Sequence, residues 1–273
     1  MGQGLRSTKV KRSGLPFKKG FLLWSLVIGA YLFYPITSAA QDLYEICVYS
    51  SETLETGRTM IELHSHMALR GTTQTTDGVL PTEHALHETI EITHGFTPWF
   101  DMGLYTFTSI QPGLDWQWGG ESIRPRVRIP EDWHWPIGLG FLAAISYQQR
   151  NFSTNAWTLE LLPIIDKQWG PWYLSFNPAF GCSLQGESAG RGFEFDPSFK
   201  IKYDLTHRIG GGIEYYASLG PLQEFDPWQK QWQQIFPAID LNLADWEFNF
   251  GVGFGLTEAT DRLVVKMILG RRF

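Results

Sequence analysis

The sequence predicts an all-β fold, a closed, twelve-stranded antiparallel transmembrane β-barrel, over residues 58–273 of its 273. Three observations carry that prediction. Apolar residues recur at every second position in twelve separate segments, which is the period of a strand. The tryptophans sit at the ends of those segments and not in their centres. A forty-residue leader with the layout of a secretory signal precedes them.

In the leader, residues 1–20 are basic and polar, and Phe21–Tyr34 is an apolar run of fourteen, too short to span a bilayer comfortably. Pro35 breaks the run, and Ser38, Ala39 and Ala40 supply small residues for cleavage, so mature protein is expected from about Gln41. Of the 22 basic residues, six lie in 1–40 with no acidic one, which leaves 16 against 28 acidic residues after Ala40, a net of −12. That acidic body excludes a nucleic-acid partner, since phosphate-binding surfaces need clustered Lys and Arg. A hydrophobic share of 43% excludes disorder. Past Ala40 no apolar run reaches eighteen residues, so helical spans are excluded too.

Residues 41–57 are acidic (Asp42, Glu45, Glu52, Glu55) and not clearly strand, so they form either a periplasmic lead or a short plug in the lumen. Strand one places Ile61, Leu63, Met67 and Leu69 on one parity and Glu62, His64 and His66 on the other. Strand two sets Leu86, Ile90 and Ile92 against His87, Thr89 and Glu91. Strand three starts at Phe100, Met102 and Leu104, and strand four sets Ile123, Val127 and Ile129 against Arg124, Arg126 and Arg128. Ile137–Ile145 makes the fifth; Trp157, Leu159, Leu161 and Ile165 face away from Glu160 and Asp166 in the sixth. The seventh opposes Leu174, Phe176 and Phe180 to Ser175 and Asn177. The eighth has the sharpest contrast: Phe193, Phe195, Phe199, Ile201 and Tyr203 against Glu194, Asp196, Lys200, Lys202 and Asp204. Segments led by Ile209, Ile235, Trp246 and Leu263 complete the twelve, an even number as closure of a bacterial barrel requires.

The connections alternate as well. Those at 97–99, 130–136, 167–171, 205–208 and 244–246 are mostly short, and those at 71–82, 110–121, 149–155, 185–192, 220–233 and 257–261 include the longest. Short periplasmic turns and longer external loops give that alternation. Trp99, Trp133, Trp135, Trp169, Trp172 and Trp246 flank the short turns, and Trp116, Trp118, Trp157, Trp228 and Trp232 the long loops, as two headgroup-level belts. Against the barrel stand Pro125, Pro163, Pro178, Pro197 and Pro237, all inside expected strands, where each removes a ladder donor. They are expected to mark bulges or shifted strand boundaries.

The end of the chain, Leu263–Phe273, with alternating apolar residues and a terminal Phe, resembles the C-terminal signal of bacterial outer-membrane barrels. That resemblance implies recognition of Phe273 by the barrel-assembly machinery and a place among outer-membrane lipid. Residues 88–104 resemble a hairpin of the outer-membrane family named after the meta-pathway of phenol degradation. There a strand ends in Gly, an apolar residue and Thr, and a short turn leads to a strand carrying Gly; here these are Gly95, Phe96, Thr97, Met102, Gly103 and Leu104. That family contains channels or transporters for apolar or aromatic compounds, and the resemblance implies a channel or transporter here without carrying over the substrate.

Inward parity assigns Arg124, Arg126, Arg128, Glu160, Asp166, Glu194, Asp196, Lys200, Lys202, Glu214 and Asp240 to the lumen wall. The arginine ladder is expected either to select ions or to pair with lumen carboxylates such as Glu160, Asp166, Glu194 and Asp196. If strands one and two pair with residue numbers summing to 153, His66 meets His87 and Glu62 meets Glu91, a set able to hold a divalent metal or to line a hydrated wall. No cofactor is expected. An enzymatic barrel is disfavoured because Ser65 has the opposite parity to His64 and His66, which prevents a nucleophile–base pair. Cys47 and Cys182 are expected as free thiols. The reading is a passive channel for small solutes, constricted by the loops at 110–121 and 220–233. The alternatives are a structural barrel with a filled lumen and, third, a lipid-acting enzyme.

Overall fold

The computed structural model describes Tyr44 and residues 46–273, besides Met1 and Gly2. The expected signal segment and its cleavage site after Ala40 lie outside the described residues, those first two apart. Twelve strands follow in order: β1 (Thr59–Arg70), β2 (Leu86–Thr97), β3 (Phe100–Ile110), β4 (Trp116–Arg128), β5 (Gly138–Gln148), β6 (Asn155–Trp169), β7 (Trp172–Gly186), β8 (Glu194–Asp204), β9 (Ile209–Ser218), β10 (Trp232–Leu243), β11 (Trp246–Gly255) and β12 (Leu263–Arg272). Each pairs antiparallel with its sequence neighbour, and β1 pairs with β12 to close the barrel. Thr59 and Phe273 exchange backbone hydrogen bonds of 3.2 and 2.8 Å, so the last residue completes the seam. With no free edge, every strand's backbone groups have a neighbour, which a bilayer demands.

Which face is apolar separates a membrane barrel from a soluble sandwich. Outward-facing Ile90, Leu104, Ile213 and Ile239 are 47, 54, 46 and 50% exposed. Inward-facing Thr89, Asn177, Glu214 and Lys266 are almost completely buried. A soluble core would reverse this; an apolar outer wall over a polar interior suits lipid outside.

The prolines are not bulges. The β4–β5 ladder skips from Ile123↔Ile145 to Arg126↔Leu142 in unchanged register beside Pro125. The β6–β7 ladder skips likewise from Leu161↔Phe180 to Ile165↔Phe176, where Pro163 and Pro178 stand opposite, and β10–β11 skips beside Pro237. On its other side each of these prolines pairs normally, as Pro178 does with Pro197. A proline lacks only its N–H, so the ladder opens on the side that donor would have faced, and the register survives. Register shifts fall elsewhere, at Ala68/Arg70, Gly95/Thr97, Phe107/Thr108 and around Trp157.

Two further expectations need correction. The 110–121 connection shrinks to residues 111–115, because Trp116–Glu121 already belong to β4. Trp232 is no belt residue: it faces inward at 7% exposure and packs in a lumen cluster. Alternation identifies a strand end but not which face a terminal Trp takes.

Candidate functional site

Residues 46–57 form no strand, yet they lie against the inner wall and make contacts along the length of the lumen. Near the short turns, Gly57 N–H donates to Gly95 carbonyl at 2.8 Å, and Thr53 Oγ1 to Pro98 carbonyl at 3.1 Å. Further in, Leu54 N–H donates to Asp101 (2.8 Å), and Ser51 gives Asp166 both its N–H (2.6 Å) and its hydroxyl (2.8 Å). Tyr49 N–H reaches Asn177 at 2.7 Å, and Tyr49 carbonyl accepts from Ser175, also at 2.7 Å. Lys266 Nζ donates to Ile46 carbonyl at 2.8 Å, and Thr89 Oγ1 to Tyr44 carbonyl at 2.6 Å. A chain outside any sheet must find partners for its backbone groups, and here polar side chains of the wall supply them. Gly95 and Gly119 make room: a Cβ at the first would strike the carbonyls of Leu54 and Glu55, and at the second the Tyr44 hydroxyl.

Towards the long loops the lumen is packed. Tyr44, Tyr105, Phe107 and Phe152 form one buried cluster, with Tyr44 stacked on Phe107 at 5.0 Å. Ile46 and Val48 join Tyr216, Trp232 and Phe236 in a second. Leu142, Leu162 and Ile164, with Tyr49 against them, form a third, at the middle of their strands. Towards the short turns lies a cavity of about 620 Å³ lined by Glu62, His64, Glu91, Arg126, Lys200, Glu214, Asp240 and Lys266 among others. It extends to Glu131, Gln168 and Glu247 near the rim.

The residues assigned to the lumen by parity have specific partners. Arg126 binds Asp101 through two hydrogen bonds of 3.0 and 2.6 Å, and Arg128 pairs with Glu131 at 3.0 Å. Arg124 donates to the Tyr49 hydroxyl at 2.6 Å and lies 4.2 Å from the Tyr105 ring centre. Arg126 thus pairs with an inward carboxylate, as expected, though with Asp101 and not with Glu160, Asp166, Glu194 or Asp196, and Arg128 pairs with Glu131 of the following turn. Asp166, one of those carboxylates, instead holds Ser51 and accepts from Tyr173 at 3.0 Å. Lys200 pairs with Asp240 (2.9 Å) and Glu214 (3.0 Å), Glu214 also pairs with Lys266, and Lys202 pairs with Asp204 at 2.9 Å. Glu160 and Glu194 are half-buried, and Asp196 has one carboxylate oxygen buried without a hydrogen-bond partner. Tyr49, Ser51 and Asp101 were missed in the sequence. Asp101 alone had a signal, its inward parity between Phe100 and Met102.

The β1–β2 register pairs His66 with His87 and Glu62 with Glu91. The two histidines stack at 5.0 Å, but the ligand atoms drawn together are those of Glu62, His64 and Glu91, all within 4.8 Å of one another. His64, diagonal to Glu91, reaches it at 3.1 Å through Nε2, so it takes the place expected for His66 and His87. Cys47 and Cys182 are both free thiols.

No protein-family model matches the chain, and no curated protein sequence does. Among solved structures, the COG4313 outer membrane channel from Pseudomonas putida F1 is similar, with a TM-score of 0.60 at 12% identity, over 84% of this chain and 100% of that one. The KdgM porin in complex with disordered oligogalacturonate gives a TM-score of 0.46 at 10% identity, over 78% of this chain and 98% of that one. The first likeness, together with the closed apolar-walled barrel, makes the fold that of a bacterial outer-membrane β-barrel.

Proposed function

We propose that this protein is an outer-membrane channel for passive movement of small solutes, held closed by Tyr44 and residues 46–57. The observation that carries the reading is the polar cavity at the short-turn end, which stops where the N-terminal segment packs against the wall. A wall bearing Lys200, Glu214, Asp240 and Lys266 in ion pairs is an expensive way to fill a sealed core, whereas it suits water and polar solutes. Short turns put that end in the periplasm and the long loops outside the cell. Phe273, at the seam, is the residue the barrel-assembly machinery would read.

In this reading Arg124 and Arg126 act on the segment. Arg126 holds Asp101, Asp101 also holds Leu54 N–H, and Arg124 holds the Tyr49 hydroxyl. The resting gate is therefore the segment and not the loops at 110–121 and 220–233. Solutes meet paired charges along the cavity, so selectivity is weak until pairs are removed.

A second reading has a specific observation in its favour. The apolar clusters around Tyr44 and Phe107 and around Tyr216 and Phe236 at the loop end, with the third around Leu142 and Ile164 at mid-barrel, are what a structural barrel with a filled lumen would have. Planar-bilayer recordings separate the two. The wild type should conduct little, and the Asp101→Ala, Asp166→Ala double variant, which frees Leu54 and Ser51, should conduct more often. If that variant folds and inserts yet never conducts, the channel reading is overturned and the structural one stands.

A further inference from the structure

We infer that Glu62, His64 and Glu91 form a binding site for a divalent first-row transition-metal ion, opening on the short-turn cavity. Glu62 and Glu91 are directly opposed on β1 and β2, both inward. Like charges directly opposed across two strands repel. The two guanidiniums nearest Glu62 are both engaged elsewhere, Arg126 by Asp101 at 3.0 and 2.6 Å and Arg272 by Glu247. A dication bound between the two carboxylates removes the conflict.

His64 supplies the second, independent sign. It is 4% exposed, turns Nε2 to Glu91 Oε2 at 3.1 Å, and its Nδ1 is buried with no hydrogen-bond partner. In that hydrogen bond Nε2–H donates to the carboxylate, so an ion that takes its place displaces the shared proton and uses the Nε2 lone pair this exposes. The ligand atoms of the three residues lie within 4.8 Å of one another, close enough for one ion to touch all three after small side-chain movements. Thr93 Oγ1 donates to Glu91 Oε1 at 2.6 Å, which fixes that carboxylate with Oε2 turned to His64, and an ion entering there replaces the His64 hydrogen bond.

The ligand chemistry selects the ion. One imidazole nitrogen with two carboxylates suits Zn²⁺ and its first-row neighbours; Ca²⁺ prefers six to eight oxygens and Mg²⁺ keeps its waters. Three protein ligands leave at least one coordination position, and all three residues line the cavity. The site is thus open, and water or a solute donor group completes it.

The test is calorimetric titration of Zn²⁺ into untagged, refolded, detergent-solubilised protein. One ion per barrel is expected. His64→Ala and Glu62→Gln should each weaken binding by more than the roughly 10- to 100-fold seen when an outer-shell partner is lost, and Thr93→Val should fall within that range. His87→Ala should bind like the wild type. With Co²⁺ as the probe, visible absorption from the bound ion should vanish in His64→Ala. Heat-modifiable gel mobility identifies variants that fold, and if Glu62→Gln does not, His64→Gln takes its place. Absence of Zn²⁺ binding by the wild type overturns the inference, as does wild-type affinity in folded His64→Ala. A silent barrel that binds Zn²⁺ leaves it standing, since the readout is independent of conduction.

Discussion

The two ends of the lumen solve the same problem differently. At the long-loop end, a wall with Tyr105, Phe107, Tyr216 and Phe236 closes on Tyr44, Ile46 and Val48 by apolar packing. At the short-turn end, a charged wall pairs Lys200, Glu214, Asp240 and Lys266 around a cavity and holds the passing chain by hydrogen bonds to Asp101 and Asp166. Apolar packing is non-directional and tolerates water poorly, so the loop end seals. Ion pairs and single hydrogen bonds are directional and keep their partners in water, so the turn end stays hydrated. In the proposed channel reading, a barrel with one packed and one charged end holds a solute or ion without passing it until the segment moves.

The largest effects should come from breaking either solution at its centre. Glu214 is 1% exposed, accepts from Lys200, Lys266 and Tyr216, and its replacement by Ala leaves the buried Lys266 ammonium without its carboxylate and Lys200 with Asp240 alone. A loss of about 3–5 kcal/mol is expected by urea unfolding in detergent, with most of it recovered when Lys266 is also made Met. Full loss retained in the double variant would mean that the charge pairing is not what matters there. At the sealed end, Phe236→Ala removes a completely buried ring and should also cost about 3–5 kcal/mol. A much smaller loss would mean that the loop end is less tightly packed than its clusters imply.

Smaller effects sharpen the comparison. Ile239→Arg, on the lipid face at 50% exposure, should destabilise by about 2–4 kcal/mol near mid-bilayer, with a lesser effect for Asn242→Arg at the cavity wall. Equal effects at both sites would argue against lipid outside and water inside. Ser51→Ala removes one hydroxyl donor to the Asp166 carboxylate, worth roughly 1.5–3 kcal/mol to segment docking, and should raise maleimide labelling of Cys47 without unfolding the barrel. Unchanged labelling would show that the segment is held elsewhere. Arg58→Gln breaks a rim pair with Asp245 at 3.2 Å, whose side chains are 39 and 64% exposed, and should change stability by under about 1 kcal/mol.

The sequence by itself determined the strand number and the lipid-facing parity. Both follow from a two-residue period, which is a local property of the chain, whereas the register of the first hairpin spans a long loop and enters only as an assumption. Inward parity likewise marked Arg124, Lys200, Glu214 and Asp240 as lumen residues. Only the tertiary structure decided what each of them touches. Ser51 meets Asp166 across 115 residues and Lys266 meets Ile46 across 220, contacts that arise because closing the barrel brings distant strands around one lumen. The path of residues 46–57 was hidden because a segment whose backbone is satisfied by the wall needs no alternation of its own. Likewise, His64 and not His66 or His87 joins Glu62 and Glu91, because diagonal reach across a twisted pair, and not the directly opposed partner, sets which ligand atoms converge. Parity fixes the face a side chain points to, whereas sheet twist and barrel closure fix its neighbours, and those depend on the whole chain at once.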